Sequence, residues 1–119
     1  MKPIPRLLLI NEVTTANGIL WLEGDGNYTR IHRQQQPMVL SAHTLKRFEE
    51  RLVGFIRFRR DALVNPLHIS RFQQNKSLSE IKVWLTDGTL IVASRRRYTC
   101  VRDVLTQATA PGTLHLATR

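Results

Sequence analysis

The chain has 119 residues, a length that fits one domain because domains usually contain roughly 50 to 200 residues. Eighteen lysines and arginines against nine acids give a formal charge of +9 and a sequence pI near 11.1, which predicts a polyanionic partner such as a nucleic acid. Hydrophobic residues make up 42% of the chain, a share typical of folded proteins, so the composition excludes a disordered basic tail.

The single cysteine, Cys100, excludes an internal disulfide and a site built from several thiolates, and it favours a reducing cytosol. The early apolar run at residues 7–10 is shorter than the ~7 to 15 residues of a signal-peptide core or the ~20 of a membrane span. We therefore expect a cytoplasmic protein without membrane contact. The four histidines lack catalytic or metal-binding spacing, so we expect neither an enzyme nor a metal or other cofactor.

Short apolar stretches, each bounded by Gly, Pro, Asn or Asp, recur along the chain and predict the strands of antiparallel sheets. They cover residues 7–10, 19–22, 28–33, 38–40, 55–58, 62–64, 81–85 and 90–93. Asp25-Gly26 and Asp87-Gly88 each separate two of these stretches. This dipeptide is a strong hairpin signal because glycine adopts the left-handed conformation that tight hairpin turns need. The predicted fold class is mostly β.

Residues 44–53 change to helical spacing and predict one short helix. Leu45, Phe48 and Leu52 fall on one side, Thr44 can cap the start, and Gly54 follows the end. The other side carries charges of both signs, at Lys46, Arg47, Glu49, Glu50 and Arg51. We expect that charged side to be solvated rather than to bind a polyanion.

Three arginines lie at the end of the predicted strand that begins at Phe55. Strand alternation directs Arg57 and Arg59 to one face, and Arg60 falls where the chain turns. These positions suit a groove better than a core. Asp61 could instead neutralise one of the arginines, and this alternative stays open.

A C-terminal helix is predicted at about residues 95–107, with Ser94 as its cap. Its first turn is Arg95-Arg96-Arg97, although cations at a helix start cost about 0.3 to 1 kcal/mol each. A sequence that breaks this local rule predicts an anion site, because the open N–H groups of a helix start attract phosphate. The alternative is a solvated or partly paired cluster. The tail at residues 109–119 could add a strand, meet another copy of the chain, or be loose.

Five segments resemble the LytTR DNA-binding domain family in order and spacing. They are residues 22–32, 44–52, 55–60, 63–65, and 87–88 followed by 94–98. The resemblance implies small antiparallel sheets stacked into an elongated β-sandwich, whose loops enter the major groove of double-stranded DNA, and it implies a bacterial transcriptional regulator. We expect a single domain over residues 1–119, with a core at about residues 5–108 and no attached receiver domain.

The resemblance also implies site residues. The candidates for base contacts are Asn27, Thr29, Arg59, Arg60 and Arg96. The candidates for DNA backbone contacts are Arg30, Arg33, Arg57, Arg95 and Arg97. Family members commonly occupy paired sites, which implies a homodimer or paired binding on repeated sites.

A basic module that binds RNA or another polyanion without sequence specificity is the alternative function. RNA-binding surfaces usually expose aromatic side chains for stacking on bases. Aromatic residues make up only 7% of this chain, and Trp21, Phe48 and Trp84 lie in apolar stretches where we expect them to join the core. The sequence therefore favours DNA over RNA.

Overall fold

The computed structural model of the chain describes residues 16–108, so the predicted strand at residues 7–10 and the tail at residues 109–119 lie outside the described residues. The described range contains eight strands and two complete α-helices. The strands are β1 (Ile19–Asp25), β2 (Tyr28–Arg33), β3 (Gln36–Ser41), β4 (Ile56–Arg59), β5 (Ala62–Val64), β6 (Ile69–Asn75), β7 (Glu80–Leu85) and β8 (Leu90–Val92). The helices are α1 (Leu45–Arg51) and α2 (Tyr98–Ala108).

The strands form two antiparallel sheets, which confirms the mostly β prediction. The first sheet has five strands in the order β3-β2-β1-β5-β4, and the second has three in the order β6-β7-β8. Both predicted hairpins are present. Gly26 and Gly88 adopt φ angles of +64° and +92° in the two turns, the left-handed conformation that glycine takes without strain.

Strand β6 was not predicted from the sequence. Of its seven residues only Ile69 is buried, and Phe72 is partly buried against the core. The strand lies at the edge of the second sheet, where most of its side chains meet solvent. Its sequence therefore lacks the alternation of apolar and polar residues by which a half-buried strand is recognised.

Two clusters of buried side chains hold the layers together. One joins the two sheets and α2, and it includes Phe58 of β4, Val83 of β7 and Val101 of α2. The other lies between the first sheet and α1, and it includes Leu22 and Phe48. The first sheet is thus covered by α1 on one face and by the second sheet with α2 on the other. The stacked layers measure 44 × 30 × 24 Å along their principal axes, in line with the elongated sandwich implied by the family resemblance.

Both predicted caps are present. The Thr44 hydroxyl accepts a hydrogen bond from the backbone N–H of Arg47 at 3.4 Å, and Gly54 adopts a φ of +97° just after α1. The Ser94 hydroxyl accepts one from the backbone N–H of Arg97 at 3.3 Å. The three arginines after Ser94 form a 3-10 turn, and the α-helix itself starts at Tyr98. The predicted helix is therefore confirmed, with a tighter first turn than expected.

Candidate nucleic-acid interface

Three segments meet at one end of the first sheet: the β1–β2 turn, the β4–β5 turn and the start of α2. The backbone N–H of Gly24 donates to the Asp61 carbonyl at 2.9 Å, and the N–H of Ser94 donates to the Phe58 carbonyl at 2.9 Å. These bonds hold the three segments around a groove of about 1080 Å³. We call it the arginine groove, after its six cationic lining residues Lys46, Arg57, Arg59, Arg60, Arg96 and Arg97. Among the described residues, only two acids, Asp25 and Asp61, line it.

Four of the six groove cations have side chains that no residue in the described part of the chain engages. Within residues 16–108, the charged groups of Lys46, Arg60, Arg96 and Arg97 make no ion pair or hydrogen bond with the protein. Arg60 and Arg96 are exposed, and they come from distant parts of the sequence. The fold therefore gathers onto one surface two of the three arginines that the sequence analysis named as candidates for base contacts.

Arg59 and Arg57 line the same groove but are already engaged. The Arg59 guanidinium pairs with the Asp61 carboxylate at 2.7 Å and donates to the Val92 carbonyl at 3.1 Å. The alternative that Asp61 neutralises one arginine is thus confirmed for Arg59. The Arg57 guanidinium is bound to Glu49 and to two backbone carbonyls. Neither side chain is as available to DNA as Arg60.

The β1–β2 turn contributes less than the sequence suggested. Asn27 is exposed in the turn beside Gly26, which lines the groove. Arg30 pairs with the Asp25 carboxylate at 2.8 Å. Thr29 is fully buried, and its hydroxyl donates to the His43 carbonyl at 2.7 Å. Thr29 is therefore removed from the candidate base contacts, because its side chain offers no surface to a ligand.

Two predicted backbone contacts lie away from the arginine groove. Arg33 is at the opposite end of β2 from the β1–β2 turn, roughly 17 Å along the strand. Its guanidinium donates to the Pro37 carbonyl at 3.1 Å. Arg95 faces a second depression beside the β6–β7 turn and does not line the groove. The structure thus separates these cations from the cluster around Arg96.

Lys46 was missed by the sequence analysis, which assigned the charged side of α1 to solvent. The first turn of α1 packs beside Gly24, where a β-carbon would lie 3.5 Å from the Leu45 side chain. This close approach carries Lys46 to the groove. Helical periodicity identifies the buried side of α1 but not which strand its first turn meets, so the sequence held no signal for Lys46.

Of the three aromatic residues predicted to join the core, two do so. Trp21 and Phe48 are buried. Trp84 is only partly buried and belongs to neither core cluster, so that expectation is wrong. The Arg71 guanidinium carbon lies 3.8 Å from the centre of the Trp84 ring, and this cation–π contact shields the ring from solvent.

A metal site needs a cluster of ligand side chains, and a membrane span needs a long apolar helix. Between residues 16 and 108, no three side chains of the His, Cys, Asp or Glu type cluster so that they could hold a metal ion. Nor does any helix in that range have the length and apolar character needed to cross a membrane.

Three arginines of the groove, Arg60, Arg96 and Arg97, have no acidic partner among residues 16–108, and such a surface on a small two-sheet domain indicates a protein that binds a polyanion. The LytTr DNA-binding domain family matches residues 12–106, which is most of the 119-residue chain. The chain belongs to the LytTR family and is a DNA-binding domain, as the sequence resemblance implied.

A solved structure with the same fold is similar to this chain. It is the LytTr DNA-binding domain of a Bacillus cereus protein, which matches with a TM-score of 0.68 and 22% sequence identity. The match covers 76% of this chain and 83% of that chain. No curated protein sequence matches this chain significantly.

Proposed function

We propose that this chain recognises a specific sequence in double-stranded DNA through the arginine groove and regulates bacterial transcription. One observation carries the proposal: Arg60 and Arg96 line the same groove, and neither guanidinium is paired with an acid among the described residues. A cation left unpaired beside other cations favours an anionic ligand. A guanidinium held at a loop edge can also reach base edges in the major groove of DNA.

The side chains of the groove divide into two kinds of contact. Arg60 and Arg96 read guanine, because a guanidinium donates two parallel hydrogen bonds to O6 and N7. The Asn27 amide, exposed at the β1–β2 turn, reads an adenine edge. Lys46 and Arg97 bind phosphates, which fixes the register of the protein on DNA without specifying sequence.

The lining of the groove supports duplex DNA over single-stranded RNA. Proteins that bind single strands stack bases on aromatic side chains. Within residues 16–108 no aromatic side chain lines the arginine groove. Tyr28, which is 52% exposed, follows the β1–β2 turn but does not line the arginine groove.

Selection of bound duplexes from a random-sequence library tests the proposal. We expect a short motif to be enriched, with guanines at the positions that Arg60 and Arg96 reach. Enrichment that is absent over repeated rounds would contradict sequence specificity. Single-stranded RNA that displaces the selected duplex at equal concentration would favour the polyanion-binding alternative.

Binding to the selected duplex is expected to weaken steeply with salt. Each neutralised phosphate releases condensed counterions, so contact with about five to eight phosphates, made by the groove cations together with outlying cations such as Arg33 and Arg95, gives a log–log slope of roughly −4 to −7. Fluorescence anisotropy between about 50 and 200 mM salt measures this slope. A flat salt response would mean that the unpaired cations of the groove do not contact the DNA backbone.

A further inference from the structure

Arg57 lines the arginine groove, yet its side chain is turned toward the protein. Only 14% of the side chain is exposed. Its Nε donates to the Arg59 carbonyl at 3.0 Å, its Nη2 donates to the Arg60 carbonyl at 2.8 Å, and its Nη1 donates to the Glu49 carboxylate. All three guanidinium nitrogens are therefore engaged before any DNA binds.

Residues 59–61, at and beside the β4–β5 turn, each accept a hydrogen bond at the backbone carbonyl. Arg57 binds the carbonyls of Arg59 and Arg60, and the backbone N–H of Gly24 binds that of Asp61. The side chains of Arg59 and Asp61 pair with each other. Among the three residues of this segment, only the Arg60 side chain makes no hydrogen bond or ion pair with residues 16–108.

Glu49 fixes the guanidinium of Arg57 from the neighbouring layer. It lies on α1 and does not line the arginine groove. Its carboxylate is the acidic partner of Arg57, so it orients the planar guanidinium toward the two carbonyls. Without Glu49, the Arg57 side chain would be free to turn toward solvent or DNA phosphates, and the turn would lose two of its hydrogen bonds.

We propose that Glu49 and Arg57 are positioning residues, which set the β4–β5 turn so that Arg60 meets its base. The inference rests on the proposed function of the groove and changes the role of Arg57 from a DNA backbone contact to an internal support. A recognition side chain must be held close to its productive geometry, and the residues that hold it control specificity without touching the ligand.

The sign of the effect separates positioning from simple electrostatics. Glu49 is an acid near a surface that binds a polyanion. If only charge mattered, Glu49→Gln would tighten binding to every duplex, because it removes repulsion of phosphates. If Glu49 positions the turn, the same change weakens binding to the selected duplex relative to an unrelated one.

Glu49→Gln is the first test, with Glu50→Gln as its matched control. Glu50 is the next residue of α1, is exposed, and makes no ion pair with residues 16–108. Anisotropy titrations of the intact chain with selected and unrelated duplexes give the ratio of the two dissociation constants. We expect Glu49→Gln to lower this preference about tenfold, the contribution of one well-placed arginine–guanine contact, while Glu50→Gln leaves it unchanged. An unchanged preference in Glu49→Gln overturns the inference.

Arg57→Lys and Arg57→Gln form the second test. Lysine keeps the charge but cannot bind two carbonyls and a carboxylate with one planar group, so Arg57→Lys is expected to lose preference as Glu49→Gln does. Arg57→Gln is expected to keep the wild-type salt slope, because Arg57 neutralises no phosphate. A salt slope that becomes shallower by about one unit would instead make Arg57 a phosphate contact and overturn the inference.

Thermal unfolding of each variant is the control, because it distinguishes a lost preference for the selected duplex from a loss of folding. The outcomes also separate this inference from the proposed function. A wild-type chain without preference for any duplex contradicts the proposed function itself. A wild-type chain with strong preference, retained in Glu49→Gln and Arg57→Lys, contradicts only the positioning role.

Discussion

Arg96→Ala is expected to weaken binding to the selected duplex about 10- to 100-fold and to change binding to an unrelated duplex only a few-fold. The reason is that a bidentate arginine–guanine contact contributes about 1 to 3 kcal/mol of discrimination, whereas a single phosphate contact acts on all sequences alike. Arg96 is exposed on the groove and has no partner within residues 16–108, so its removal leaves no buried acid without a counterion. Anisotropy titrations with both duplexes measure the two effects.

Arg33→Ala is the control for Arg96→Ala because it removes the same charge at a distance from the groove. Arg33 lies at the far end of β2, where its guanidinium donates only to the Pro37 carbonyl in the described range. We expect it to lower binding to both duplexes by one common factor. If Arg33→Ala and Arg96→Ala lowered the preference equally, the division between base-reading and backbone-binding arginines would be refuted.

The extent to which the fold could be predicted depends on which strands bury one face. β7 alternates buried and half-buried residues, so its pattern and the Asp87-Gly88 turn identify a hairpin from local sequence. β6 has one buried residue and little pattern of its own. Its place in the sheet is given by its pairing with β7, in which Phe72 lies opposite Val83. Edge strands of this kind are specified by their partner rather than by their own sequence.

The candidate site was predictable where a cation breaks a local rule. The arginine cluster after Ser94 opposes the dipole of its helix, and the cluster was found for that reason, whereas the choice of Arg96 within it came from the family resemblance. Thr29 and Arg57 could not be placed in the same way. Whether a strand residue faces α1 or the groove depends on sheet register, and whether an arginine is free depends on acids brought near it by folding. Glu49 reaches Arg57 because α1 packs against β1 and β5, and β5 pairs with β4.

The groove depends on the core directly beneath it, because one residue joins two of its walls. Phe58 lies between Arg57 and Arg59 in β4, and its side chain is fully buried in the cluster that includes Val101 of α2. Its carbonyl accepts the hydrogen bond from the N–H of Ser94, the cap of the arginine turn. The same residue therefore supports both Arg60 and Arg96 from below.

Phe58→Ala is accordingly expected to lower the free energy of unfolding by about 3 to 5 kcal/mol, since the buried ring leaves a cavity that the surrounding layers fill only in part. Domains of this size are stable by about 5 to 15 kcal/mol, so the variant should be marginally folded. Urea denaturation followed by circular dichroism measures the change. Val53→Ala is the control, because Val53 is 91% exposed and its truncation removes little buried surface. A loss below about 1 kcal/mol in Phe58→Ala would place Phe58 outside the tightly packed core, and the arginine groove would then need another support.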